Sequence, residues 1–114
     1  MDYKQRNIKN IKESDATILF GYLSSRGAIV TKNACKYHNK PLLEISDDLI
    51  DEIGTAVKIE RFLVKQFPFL YSQKGILNIA GNRESKNLGI ESRVEIVLVK
   101  AFKQYFKAKI DTLL

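Results

Sequence analysis

Gly75–Ile90 reads GILNIAGNRESKNLGI. An apolar run from Ile76 to Ala80 breaks at Gly81 into a polar loop, and past Gly89 the longest helical pattern of the chain begins. A short apolar run bounded by glycines has the pattern of a buried strand. A strand, a glycine-bearing loop and a helix start together form the usual frame of an anion or nucleotide site in an open α/β sheet. The reason is physical: the first N–H groups of a helix lack intrahelical acceptors, and the helix dipole favours negative charge there. Arg83, Ser85 and Lys86 stand in this loop, where a guanidinium, a hydroxyl and an ammonium can meet phosphate or another oxyanion.

The same alternation runs back through the chain. ATILF (Ala16 to Phe20) is apolar apart from Thr17, as expected of a strand covered on both faces. After the loop GYLSSRG comes a helical pattern from about Ala28 to Tyr37, with Val30, Ala34 and Tyr37 on one face and Lys32 and Lys36 on the other. Pro41 closes it, and Leu42 to Ile45 reads as a second short strand. Ser46-Asp47-Asp48 has the chemistry of a helix cap. Gly54 predicts a break in the helix that follows, leaving a main segment from Thr55 to about Phe67, stopped by Pro68.

Upstream, residues 3–13 place Ile8 and Ile11 on one side of a short amphipathic helix, with Ser14-Asp15 as a turn. Ile90 to about Lys109 forms the last helix. The order β-α-β-α-β-α predicts a three-layer, Rossmann-like α/β fold over residues 1–114: about three parallel strands with flanking helices and right-handed crossovers.

Three strands leave two open edges. In the last helix Ile90, Val94, Val97, Leu98, Ala101 and Tyr105 form a core stripe, while Ile96, Val99 and Phe106 lie round from it. This extra apolar surface predicts a partner, either a second copy in a homodimer or another chain that supplies a missing half of the domain.

With 114 residues, 45% hydrophobic and 28% charged, the chain has the composition of one soluble globular domain. It contains no apolar run of the roughly 20 residues a bilayer span needs, so no membrane partner is expected. MDYKQRNIKN lacks the apolar segment of a secretory signal, and a single cysteine, Cys35, suits a reducing compartment; both point to the cytoplasm. The net charge of +6 favours anionic partners in a diffuse way. Nucleic acid ranks behind a small anionic ligand or nucleotide, because no aromatic residues interleave with the basic ones. Cys35 and His38 supply two metal donors where zinc needs three or four.

Three blocks resemble one family. LNIAGNRESKNLGI (residues 77–90) is similar to the signature loop of the "putative molybdenum carrier" family, LNVAG-P-RESK-x-PGI. RNIKNIKESDATILF (residues 6–20) resembles its R-x-x-x-N-V-x-D-S-D-A-T-L-I-L segment at Arg6, Asn10, Ser14, Asp15, Ala16 and Thr17. RGAIVTKNACKYHNKPLL (residues 26–43) resembles its GGT-x-x-T…A…H-x-K-P-L-L stretch through Gly27, Thr31, Ala34, His38, Lys40 and Pro41. That family belongs to the Rossmann-like SLOG superfamily, together with the cytokinin-activating nucleotide phosphoribohydrolases and a DNA-processing protein.

The resemblance implies a binding protein for a nucleotide-like, phosphate-bearing or oxyanion ligand, held at the carboxyl ends of the strands. Such a ligand would lie between Ser25, Gly27 and Thr31 on one side and Gly81, Asn82, Arg83, Glu84, Ser85, Lys86 and Gly89 on the other. Molybdate or a molybdenum cofactor is implied by the resemblance alone. The match is to the C-terminal half of the family, whose GGQTGVD loop has no counterpart here. Asn82 and Leu88 replace two prolines, and Arg26-Gly27-Ala28 replaces GGT. Thr31 stands near the place where the phosphoribohydrolases carry a catalytic glutamate, and Glu84 has no second carboxylate or histidine set beside it by the sequence. Binding is therefore expected ahead of catalysis, with a phosphoribohydrolase-like enzyme or a nucleic-acid-binding module as alternatives.

Overall fold

The computed structural model describes residues 2–46, 51–68, 75–81 and 89–113. The sheet is built on β1 (Ala16–Gly21), buried at every position. Its apolar run is covered on both sides because it is the middle strand, in the order β2-β1-β3, with β2 at Leu42–Ser46 and β3 at Leu77–Gly81. Both pairings are parallel, Thr17 standing opposite Leu42 on one side and Asn78 on the other. The three-layer α/β arrangement expected from the alternation is the one observed.

Among the described residues four helices cover the two faces: α1 (Tyr3–Glu13), α2 (Arg26–Tyr37), α3 (Glu52–Gln66) and α4 (Ile90–Leu113). α3 and α4 pack on each other, and α1 packs on α2. On the first face Ile18, Phe20 and Ile45 of the sheet meet Ile59 and Leu63 of α3 and Val97, Ala101 and Tyr105 of α4. On the second, Ile11 with Ile8 rests against Ala34, Cys35 and Leu42. The stripe expected on α4 is thus the buried one, and Ile96, Val99 and Phe106 are exposed.

Local chemistry sets the element ends. Asp2 caps α1 by accepting from the Gln5 N–H at 2.7 Å, while Gln5 returns a bond from its side chain to the Asp2 N–H. Asp15 ties the start of β1 to the start of β3: its carboxylate accepts from the Ile76 N–H at 2.8 Å, and its own N–H donates to the Ile76 carbonyl. With Ile76 used in that lock, β3 begins one residue later than the apolar run predicts. Gly21 ends β1 at φ 106°, in a region that penalises any residue with a β-carbon.

Three expectations are corrected. α3 runs without a break through Gly54, whose N–H donates to the Asp51 carboxylate at 3.0 Å. Gly54 is the third residue of the helix and its N–H is held by the cap, so it lies in the capped first turn and does not interrupt the helix. The cap of α3 is therefore Asp51, and Ser46 closes β2, while Asp47 and Asp48 lie outside the described residues. α2 begins at Arg26, and its buried face is Ala28, Thr31, Ala34 and Cys35. Tyr37 is 83% exposed. The small residues face inward because α2 is held closely between α1 and the sheet.

Cys35 sits under α1, and burial pushes its thiol above the ordinary value of 9.0, with a hydrogen bond involving Thr17 acting the other way. Burial likewise raises Tyr105 above 10.0. A raised folded-state pKa means the protonated form is the one the fold favours. Its contribution to stability is complete below the unfolded pKa and is lost as pH rises through the folded one. The thermal midpoint is expected to hold from neutrality to about pH 8.5 and then decline, the first part of the decline flattening in Cys35→Ala. An unchanged alkaline slope in that variant would contradict the assignment.

Candidate functional site

β1 leads through α2 to β2 on one side of it, whereas β2 leads through α3 back across to β3 on the other side. The chain leaving β1 enters α2 on one face, and α4, the helix after β3, packs on the opposite face. The carboxyl ends of β1 and β3 therefore flank a switch point, where a crevice opens in sheets of this kind. A cavity of about 570 Å³ lies there. Its walls are Lys4 and Asn7 of α1, Leu19 and Phe20 of β1, Tyr22, Ser25 to Ala28 with Val30 and Thr31, and Ala80 and Gly81 of β3.

Each wall has a local reason. Ser25 caps α2, its hydroxyl accepting from the Ala28 N–H at 3.2 Å. The next helical bond runs from the Ile29 N–H to the Ser25 carbonyl. The N–H groups of Arg26 and Gly27 carry no hydrogen bond among the described residues, as the first turn of a helix requires. A β-carbon at Gly27 would meet nothing within 4 Å, so the glycine keeps this end of the crevice open. Gly81 is required for closeness: a β-carbon there would stand 2.8 Å from the Phe20 carbonyl oxygen, which lets the end of β3 lie tightly against β1.

Thr31 is placed otherwise than as a free ligand group. Its hydroxyl donates to the Gly27 carbonyl at 3.1 Å and accepts from the Asn7 side-chain amide at 2.9 Å. It thereby clamps α1 onto the first turns of α2 and fixes the wall from behind. Of the residues expected in the site, Ser25, Gly27, Thr31 and Gly81 line one cavity. Gly89, at φ 83°, precedes α4. Asn82, Arg83, Glu84, Ser85 and Lys86 lie outside the described residues.

Two cations are added by the fold. Lys4 and Arg26 are both exposed, both line the crevice, and neither has an ion-pair partner among the described residues. No carboxylate belongs to the described lining. Arg26 is legible as the residue after a capping serine, whereas Lys4 comes from another helix and no local signal announces it. The site's field is positive from three sources: a helix start, a guanidinium and an ammonium. Among the described residues no three His, Cys, Asp or Glu side chains come together to hold a metal. No helix among them is long and apolar enough to cross a membrane.

Comparison with known proteins agrees with this frame. The crystal structure of a "Putative molybdenum carrier protein" from Syntrophus aciditrophicus SB superposes with a TM-score of 0.77 at 28% identity. The match covers 88% of this chain and 60% of that one, so the chain spans less than two thirds of that relative. No curated protein matches. The profile of the circularly permutated YpsA SLOG family matches residues 1–102. With the family's profile spanning residues 1–102 of 114, the chain belongs to the circularly permutated YpsA SLOG family.

Proposed function

We propose that the protein binds a small phosphate-bearing or oxyanion ligand in the crevice between α2 and the end of β3. The observation that carries this reading is the crevice itself: about 570 Å³, within the usual range for small-molecule sites, and lined by cations and a helix start with no described carboxylate. Leu19, Val30 and Ala80 form an apolar floor that suits the organic part of a nucleotide-like ligand. The Arg26 and Gly27 N–H groups take the anion from the helix end, and Arg26 and Lys4 neutralise it from the sides. Asn82 to Lys86 follow directly on β3 and would add Arg83 and Lys86 to the same anion. Molybdate enters as a candidate through the similar crystal structure, a protein named for carrying molybdenum.

In this reading the chain corresponds to the C-terminal half of its longer relatives, with a second copy or another chain covering the open side of the sheet. The compartment is the cytoplasm, in keeping with a single buried thiol. A thermal-shift screen against nucleoside monophosphates, molybdate, tungstate, phosphate and sulfate tests the binding claim. A ligand that binds only the folded chain at a hundred times its Kd stabilises by about 2.7 kcal/mol. At least one of these anions is expected to raise the midpoint by several degrees. A flat response to all of them at millimolar concentration would sink the reading.

A further inference from the structure

Along α4 the residues at every fourth position are Glu91, Glu95, Val99, Lys103 and Lys107, all exposed. The ridge reverses its charge about Val99: two carboxylates on its N-terminal side, two ammonium groups on its C-terminal side, and an aliphatic residue 44% exposed at the centre. We infer that this ridge is the contact face of a two-fold symmetric homodimer, in which α4 crosses its own copy in the antiparallel sense at Val99.

In that arrangement Glu95 of each protomer faces Lys103 of its partner. Each of these residues stands four positions from the axis, about 6 Å along the helix. Rows of this spacing are the ones helices interdigitate in their commonest packing, so the two rows lie side by side across the axis, Val99 beside its partner's Val99, while the long charged side chains reach across. Exposed Ile96 and Phe106 flank the ridge and supply apolar area beside the axis. The ridge also forms the outer lip of a second cavity, about 440 Å³, between α4 and β3, lined by Ile79, Val94, Leu98 and Phe102. Closing it would cover the open edge of the sheet.

Charge selects a second copy as the occupant. The chain carries +6 overall, which opposes self-association, yet this ridge sums to zero and complements itself only when inverted. Within one helix the C-terminal part of the pattern works against itself: Lys103 and Lys107 are like charges one turn apart, which destabilise a helix slightly. The helix dipole explains Glu91 in the first turn, but its influence fades before Lys103 and Lys107.

The test stands apart from ligand binding, because none of these residues lines the anion crevice. Sedimentation equilibrium at micromolar protein and low salt is expected to give a dimer. Glu95→Lys and Lys103→Glu each set like charges face to face twice and weaken the dimer about tenfold. The double variant Glu95→Lys with Lys103→Glu restores it, and Val99→Asp gives a folded monomer. Circular dichroism confirms the fold of each variant. A monomeric wild type, single variants of unchanged affinity, or a double variant no tighter than the singles would each overturn the assignment.

Discussion

Reversing two charges, Lys4→Glu with Arg26→Glu, removes anion binding from the crevice while the protein stays folded. Hydrogen bonds to charged groups contribute about 1.5–3 kcal/mol each, so the pair amounts to a loss of a hundredfold or more in affinity. The expectation rests on their position, since both residues are exposed and unpaired among the described residues and come from different helices. Removing them breaks nothing in the core. Titration calorimetry with whichever anion gives the largest thermal shift reads the effect directly. Arg26→Lys retains the charge without the two-pronged geometry and is expected to fall between wild type and the reversed variant. Affinity unchanged by the double reversal would place the anion elsewhere.

The second large effect concerns the sheet. Ile18 lies on the middle strand, is fully buried at 0% exposure, and packs among α3 and α4 residues. Ile18→Ala is expected to cost about 2–5 kcal/mol, the lost burial plus the cavity left behind. Domains of this size are stable by about 5–15 kcal/mol, so this single change consumes a large part of the margin. Ile53→Ala, at a site 72% exposed, should stay within about 0.5 kcal/mol. Urea unfolding compares the two. Equal effects would mean that β1 is not the covered centre of the sheet.

The layered fold was legible because burial is written on the strands: ATILF lacks polar alternation, and only a middle strand of a parallel sheet is covered on both faces. The inner stripe of α4 was legible from its helical spacing for the same reason. What sequence reading missed was decided between elements. Gly54 reads as a breaker by propensity, but Asp51 caps its N–H and the helix runs through it. Tyr37 reads as part of an apolar face, but α2 lies too close to α1 and the sheet for anything except small residues to point inward. Thr31 reads as a ligand group at a helix start and does line the crevice, but that Asn7, distant in sequence, also donates to its hydroxyl had no local signal. Lys4 becomes part of the crevice because α1 packs on α2, a contact no local pattern encodes.

The central claim is that an anion sits on the first turn of α2. The direct measurement is an amide NMR titration with the anion that gives the largest thermal shift. The largest and saturable shifts are expected at the Arg26 and Gly27 N–H signals, with Gly81 following. Saturable shifts confined to another part of the chain, with Arg26 and Gly27 unmoved, would contradict it.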